Sequence, residues 1–199
     1  MKPFEIPWPA GESWLFVCLV PDLERDTAAA RLFQDCREAM AGFPIATVPD
    51  HAMRITLAKV GDAPAAQVTA DERTGLLKAL GEQLKAVEPF QITAGSPLAY
   101  ATGALCDLED EPLQALITVI RSAIRELRGP EADTFHPGVT HLTLGYAYDE
   151  ASTDELARKL RRVRPSHAPL HVDAVHLLEV STKAGGFELA SVGRAPLGH

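Results

Sequence analysis

Four side chains in two short stretches have the types and spacing for acid–base chemistry beside an oxyanion. Thr140-His141-Leu142-Thr143-Leu144-Gly145-Tyr146-Ala147 reads as a strand, its apolar and small residues interleaved with Thr and Tyr, which favour the pleat. Alternation puts His141 and Thr143 on one face, about 6.5–7 Å apart along the backbone. Leu142, Leu144 and, by the same parity, Tyr146 point the other way, toward a core. An imidazole beside a hydroxyl supplies a proton carrier and a hydrogen-bond donor for an oxyanion. Upstream, Arg54-Ile55-Thr56-Leu57-Ala58-Lys59-Val60-Gly61 repeats the X-hydrophobic-Thr-Leu pattern 87 residues earlier. Two such strands, somewhat under half a chain length apart, suggest a duplicated half, each half lending one strand to a shared cleft.

Composition bounds what such a cleft serves. The chain has 199 residues, 46% hydrophobic and 23% charged, which suffices for a packed core and argues against disorder. A net charge of −8 opposes broad binding along a nucleic-acid backbone, DNA included, but allows one localised anion site. The three cysteines leave an odd count and share no metal-like spacing; Cys18 and Cys36 sit in apolar patterns and read as buried free thiols. His171 and His176, five apart on a strand, face opposite sides, so neither a metal nor another cofactor is expected. The Pro-rich start with acidic Glu5 lacks the layout of a signal peptide, and no run approaches the roughly 20 apolar residues of a membrane span. A cytoplasmic monomer with no membrane partner is the expectation.

The elements that must position these residues alternate in type. Residues 1–11 read as an extended lead-in with Trp8 on the surface, and Trp14 to Val20 as a central strand covered on both faces. Leu23 to Met40 carries a helical stripe, and Ile45 to Val48 suits a short edge strand. The first motif strand spans about 53–61 and the second about 139–148. Thr69 with Glu72 predicts a capping box for a helix buried along Leu77, Leu80, Leu84 and Val87. Phe90 to Thr93 and Gly103 to Leu108 predict strands joined by a turn-rich stretch holding Gly95 and Pro97. Pro112 opens the clearest helix, closed by Gly129-Pro130; Ser152 and Glu155 open a basic one through Arg164. His171 to Val180 and Phe187 to Val192 close the chain as strands around a turn at 183–186. This order predicts an α+β fold with mostly antiparallel sheets.

On these two motifs, and on a tail pattern running from His171 to Gly198, the chain resembles the 2H phosphoesterase superfamily, the family of 2′-5′ RNA ligases and cyclic phosphodiesterases. That family is defined by two His-x-Thr/Ser motifs. The second stands intact as His141-Leu142-Thr143, whereas the first reads Arg54-Ile55-Thr56. The resemblance implies one domain over residues 1–199, made of two intertwined, pseudo-symmetric lobes whose sheets line a central cleft, with helices outside. It implies metal-independent chemistry on a small nucleotide phosphodiester, a 2′,3′-cyclic phosphate or an RNA end. His141 would be an acid–base group, and Thr143 and Thr56 ligands of the phosphate.

Arg54 departs from the family in kind. A guanidinium keeps its proton across the physiological range and cannot shuttle one, though it binds phosphate in bidentate fashion and stabilises developing charge. Three readings follow: a one-histidine phosphoesterase with Arg54 as electrostatic stabiliser, a phosphate-binding module without turnover, and a scaffold reused for other small-molecule chemistry. His51 and His136 are further candidates for the substrate site. Parity turns both away from the motif faces unless the Pro49-Asp50 turn or the Gly138 hinge bends the chain back. The plain alternatives are a buried His141 bonded to a carbonyl and an Arg54 in an exposed salt bridge. The cluster Arg158, Lys159, Arg161, Arg162 and Arg164 reads as a solvated helix face.

Overall fold

The apolar run after Gly11 forms the strand around which the others pair. A computed structural model describes every residue except 7, 10, 136, 137, 184, 185 and 199. In chain order its elements are β1 (Ser13–Leu19), α1 (Thr27–Met40), β2 (Ile45–Thr47), β3 (Ile55–Lys59), α2 (Ala70–Leu84), β4 (Phe90–Tyr100), β5 (Gly103–Leu108), α3 (Asp110–Arg128), β6 (His141–Ala147), α4 (Thr153–Leu160), β7 (Ala168–Val172), β8 (Ala174–Lys183) and β9 (Gly186–Pro196). On β1, Leu15, Val17 and Leu19 join the main core, and Phe16 and Cys18 join a smaller apolar cluster on the opposite face. The strand is covered on both sides, as its unbroken hydrophobicity predicts.

The strands hydrogen-bond in the order β7-β4-β5-β6-β3-β1-β8-β9, with β2 paired to β6, and every pairing is antiparallel. Two four-stranded halves are visible in that order, each ending centrally on a motif strand. They meet where β3 and β6 share a single registered pair, Ile55 with Leu142. Leu32 and Phe33 of α1, Leu76 and Leu80 of α2, Ile117 and Ile124 of α3, and Leu156 and Leu160 of α4 pack with Leu57, Leu142 and Leu144 in the main core. Each large side chain withdrawn there contributes about 1.5–3 kcal/mol before entropy. The helices therefore secure one face of the sheet and leave the other open to form a cleft. The fold is mixed α+β, with antiparallel strands curled around that cleft and helices outside.

Caps fall where the residues predict them. The Thr69 hydroxyl accepts from the Glu72 N–H and the Glu72 carboxylate accepts from the Thr69 N–H, so α2 starts at a complete capping box. Its buried stripe is Leu76, Leu80 and Leu84 rather than the expected Leu77, Leu80, Leu84 and Val87. All three cysteines are free and buried.

Four of the boundaries that differ from expectation have a local reason. Helix α1 starts at Thr27, not Leu23, because the Asp22 carboxylate accepts from the N–H groups of Glu24 and Arg25, a turn that competes with the helix. Strand β4 runs through Gly95 and Pro97 instead of stopping at Thr93. A register shift between Ala94 and Pro97 accommodates the proline, and a Cβ at Gly95 would lie 2.2 Å from the Ser166 carbonyl oxygen. Helix α4 ends at Leu160, short of Arg164, the residue before Pro165 and so disfavoured in helical geometry. The expected strand His171 to Val180 is two strands, since the chain leaves β7 at Val172 and enters β8 at Ala174 in the other half of the sheet. Asp173 marks the crossing, held by Arg25 at 2.7 Å and Arg194 at 3.3 Å.

Candidate active site

The pairing of Ile55 with Leu142 decides which side chains meet. Both residues are buried in the main core, so their sequence neighbours turn to the cleft. Outward from that pair the register sets Thr56 across from His141, and Arg54 across from Thr143. These four line one cavity of about 450 Å³ to which none of the four helices contributes a lining residue. The predicted quartet therefore stands together at the seam between the two halves.

His141 is half-buried, and its Nδ1 lies 2.9 Å from the Val139 carbonyl oxygen. A carbonyl only accepts, so Nδ1 carries the hydrogen and Nε2 of the neutral ring holds the lone pair. The backbone thus orients the imidazole and selects the tautomer that leaves one basic nitrogen. Arg54 lies just before β3, with Nη1 3.4 Å from the Ala52 carbonyl oxygen and its guanidinium carbon 4.9 Å from the centre of the Phe187 ring. No carboxylate among the described residues forms an ion pair with it, which sets aside the exposed salt-bridge reading. Across from Thr56 on β1, Cys18 is fully buried; burial pushes its thiol up to about 11, while Arg54 and the Thr56 hydroxyl act in the opposite direction.

Two further cavity residues, Lys59 and Tyr146, depart from the alternation rule. Strict alternation would send Tyr146 to the core with Leu144. Across from β5, Thr143 pairs with Leu105 and Gly145 with Ala104, so Leu144 is an extra residue, a bulge that reverses the parity beyond it. Strand β3 does the same at the matching place. Thr56 pairs with Cys18 and Ala58 with Val17, Leu57 is extra, and Lys59 returns to the cleft. The 87-residue repeat therefore extends past the motifs to Lys59 and Tyr146. The small residues Ala58 and Gly145 at the bulges are the sequence trace of it. A Cβ at Gly145 would lie 2.5 Å from Ile45, so close packing of β2 on β6 requires glycine there.

An aromatic wall completes the cavity. Phe4 lies 4.6 Å from Tyr146 in a tilted pair, and Trp8 lies 5.4 Å from Phe187 and 5.9 Å from Phe16. Phe135 meets Phe16 edge-on at 6.1 Å. The lead-in is thus no loose tail: the Phe4 N–H donates to the Ala147 carbonyl, which holds the segment along β6. Trp8 belongs to the cavity wall, not the outer surface. Nothing in the spacing of these aromatic residues points to their convergence, since they come from five separate segments.

His51 is not among the lining residues. It stands exposed on a 3₁₀ turn, Asp50–Ala52, which an Arg37–Asp50 ion pair fastens to α1, while its neighbours Ala52 and Arg54 take the cleft side. His136 lies outside the described residues. Among those residues no group of His, Cys, Asp and Glu is arranged to hold a metal ion, and no helix is long and apolar enough to cross a membrane.

The loop that delivers His141 is anchored at its start. After α3 the chain makes a 3₁₀ turn, Pro130–Asp133, in which Asp133 is 7% exposed and accepts from Arg121 Nε at 2.6 Å and Arg125 Nη2 at 2.5 Å. Burial raises the Asp133 pKa, but the two guanidinium groups outweigh it and hold the carboxyl below its usual range. A folded pKa below the unfolded one contributes stability above about pH 3.9 that is lost as pH falls through the depressed value. Asp133→Ala is expected to lower the unfolding free energy by about 1–3 kcal/mol at neutral pH and to flatten its decline below about pH 4. Urea unfolding at a series of pH values checks both effects.

The model of the 2′-5′ RNA ligase superfamily matches residues 24–184 of this sequence. Among solved structures, TT0787 of Thermus thermophilus aligns over 93% of this chain and 98% of its own, with a TM-score of 0.68 and 18% identity. E. coli LigT complexed with NADP+ aligns over 94% and 99%, with a TM-score of 0.63 and 16% identity. LigT complexed with 3′-AMP covers the same shares at a TM-score of 0.59 and 17% identity. At such identities the likeness is one of fold. No curated protein matches the sequence.

Proposed function

Because the chain belongs to the 2′-5′ RNA ligase superfamily, we propose that it is a metal-independent phosphoesterase in which His141 acts as the acid–base group and Arg54 as an electrostatic stabiliser. The substrate is a nucleotide phosphodiester, a 2′,3′-cyclic phosphate or an RNA end. The observation that carries this reading is the cavity wall itself: an oriented imidazole, two hydroxyls and a guanidinium converge on it, and no carboxylate among the described residues lines it. In a protein of net charge −8, such a wall favours an anion. LigT, which shares the fold, was crystallised with phosphate, 3′-AMP and ATP, and this supports a phosphoryl ligand here.

For a cyclic phosphate, water adds to phosphorus as Nε2 of His141 takes its proton. The P–O bond to one ribose oxygen breaks, and the negative charge leaving with that oxygen is stabilised by Arg54. The Thr56 and Thr143 hydroxyls donate to the non-bridging oxygens. The imidazolium then returns its proton to the ribose oxygen directly or through solvent, so protons balance. Turnover of a 2′,3′-cyclic nucleotide to the monophosphate is expected in the presence of a chelator; a requirement for added divalent metal would overturn the mechanism.

One feature favours a second reading. Arg54 supplies charge where the family has a proton carrier, which suits an anion-binding module that does not turn its ligand over. Saturable binding of nucleotide monophosphates with no hydrolysis over hours would select it.

A further inference from the structure

Lys59 lines the same cavity, apart from the groups that carry the proposed chemistry. The bulge in β3 turns it to the cleft opposite Phe16, its Cα partner on β1. Its Nζ lies 3.4 Å from the centre of the Trp14 ring, on the side of Phe16 away from the motif residues. Like Arg54, it forms no ion pair among the described residues: Glu12 attracts it from a distance, and burial lowers its pKa. The ring beneath it carries the one buried side-chain donor left without a partner among the described residues, Trp14 Nε1. The wall thus holds two cations, each resting on an aromatic face and neither neutralised. Because Leu57 is the extra residue of the bulge, Thr56 and Lys59 face Cys18 and Phe16, two residues apart on β1, so about 7 Å separates them at strand rise, and the Trp8 ring lies 5.9 Å from Phe16.

We propose that Lys59 is a second anion subsite, so that the ligand carries two phosphoryl groups separated by one nucleoside unit. One lies at the Arg54–His141 centre, and the other meets Lys59 beyond an aromatic-lined stretch that accepts the base. This rests on the motif quartet binding phosphate, and it narrows the substrate class to an RNA end or another doubly phosphorylated nucleotide, in preference to a mononucleoside cyclic phosphate. Two spaced cations bind a matched dianion more tightly than either alone, while an aromatic interval is sequence-tolerant because every base has a π-face.

Titration calorimetry of the whole chain with adenosine 3′,5′-bisphosphate and with 3′-AMP tests it. The wild type is expected to prefer the bisphosphate by about tenfold, Lys59→Met to lose that preference while binding 3′-AMP as before, and Lys59→Arg to retain most of it. Unchanged 3′-AMP affinity also shows that the variant is folded. A preference that persists in Lys59→Met overturns the subsite and leaves the motif quartet untouched. Failure of the wild type to bind either nucleotide overturns the quartet as a phosphate site, and the subsite with it.

Discussion

His141→Ala is expected to hydrolyse a 2′,3′-cyclic nucleotide about 10²–10⁴ times more slowly than the wild type, a loss of about 3–5 kcal/mol of transition-state stabilisation. The size of the effect follows from the company His141 keeps. Arg54 cannot exchange a proton in the working range, and the two threonines are donors and acceptors, not bases. The loss should appear in kcat with KM little changed, because Arg54, Thr56 and Thr143 remain to bind the ground state. A His141→Asn protein separates proton transfer from positioning, since its amide can still donate toward the Val139 carbonyl but cannot accept a proton at neutral pH. Turnover in either variant equal to the wild type would exclude the proposed mechanism.

The second large effect has the opposite sign. Position 54 is the symmetry mate of position 141, set across from Thr143 as His141 is set across from Thr56. An imidazole there would supply the missing proton carrier on the other side of the scissile bond, and Arg54→His is expected to raise kcat by about 10- to 10²-fold. Two proton carriers also predict a change in form: a pH–rate profile with one limb becomes bell-shaped. Arg54→Ala is the control, since it removes the charge without adding a proton carrier, and should lower kcat/KM by about tenfold. If Arg54→His is no faster than Arg54→Ala, the site depends on charge at position 54, and the anion-binding reading gains.

Much of this arrangement was legible from residue types. The Thr69–Glu72 box and the stripe of α3 gave true helices, because capping and 3.6-residue periodicity act within one turn of the chain. The motif strands appeared where alternation placed them, and their inward leucines are buried. What failed was parity over longer distances. One extra residue in each motif strand moved Tyr146 from the expected core face to the cleft and brought Lys59 to the cleft in the same way. A bulge arises from pairing with a neighbour, so its position is set by β1 and β5 and not by the strand's own pattern. The division of His171 to Val180 at Asp173 was hidden for a similar reason. Alternation continues smoothly through Val172, Asp173 and Ala174, and only the partners on each side, β4 and β1, show that the chain changes halves.

By itself, the sequence determined the chemistry available: one imidazole, one guanidinium and two hydroxyls, repeated at an interval of 87 residues on strands with a buried leucine face. Side-chain identity and local periodicity carry that information wherever the chain goes. The tertiary structure alone decided that Ile55 and Leu142 meet, and so that four residues from two distant segments share one wall. It also decided that an aromatic lining and a lone lysine complete the cavity. Those are consequences of long-range pairing, in which each strand's orientation is fixed by its neighbours as much as by its own residues.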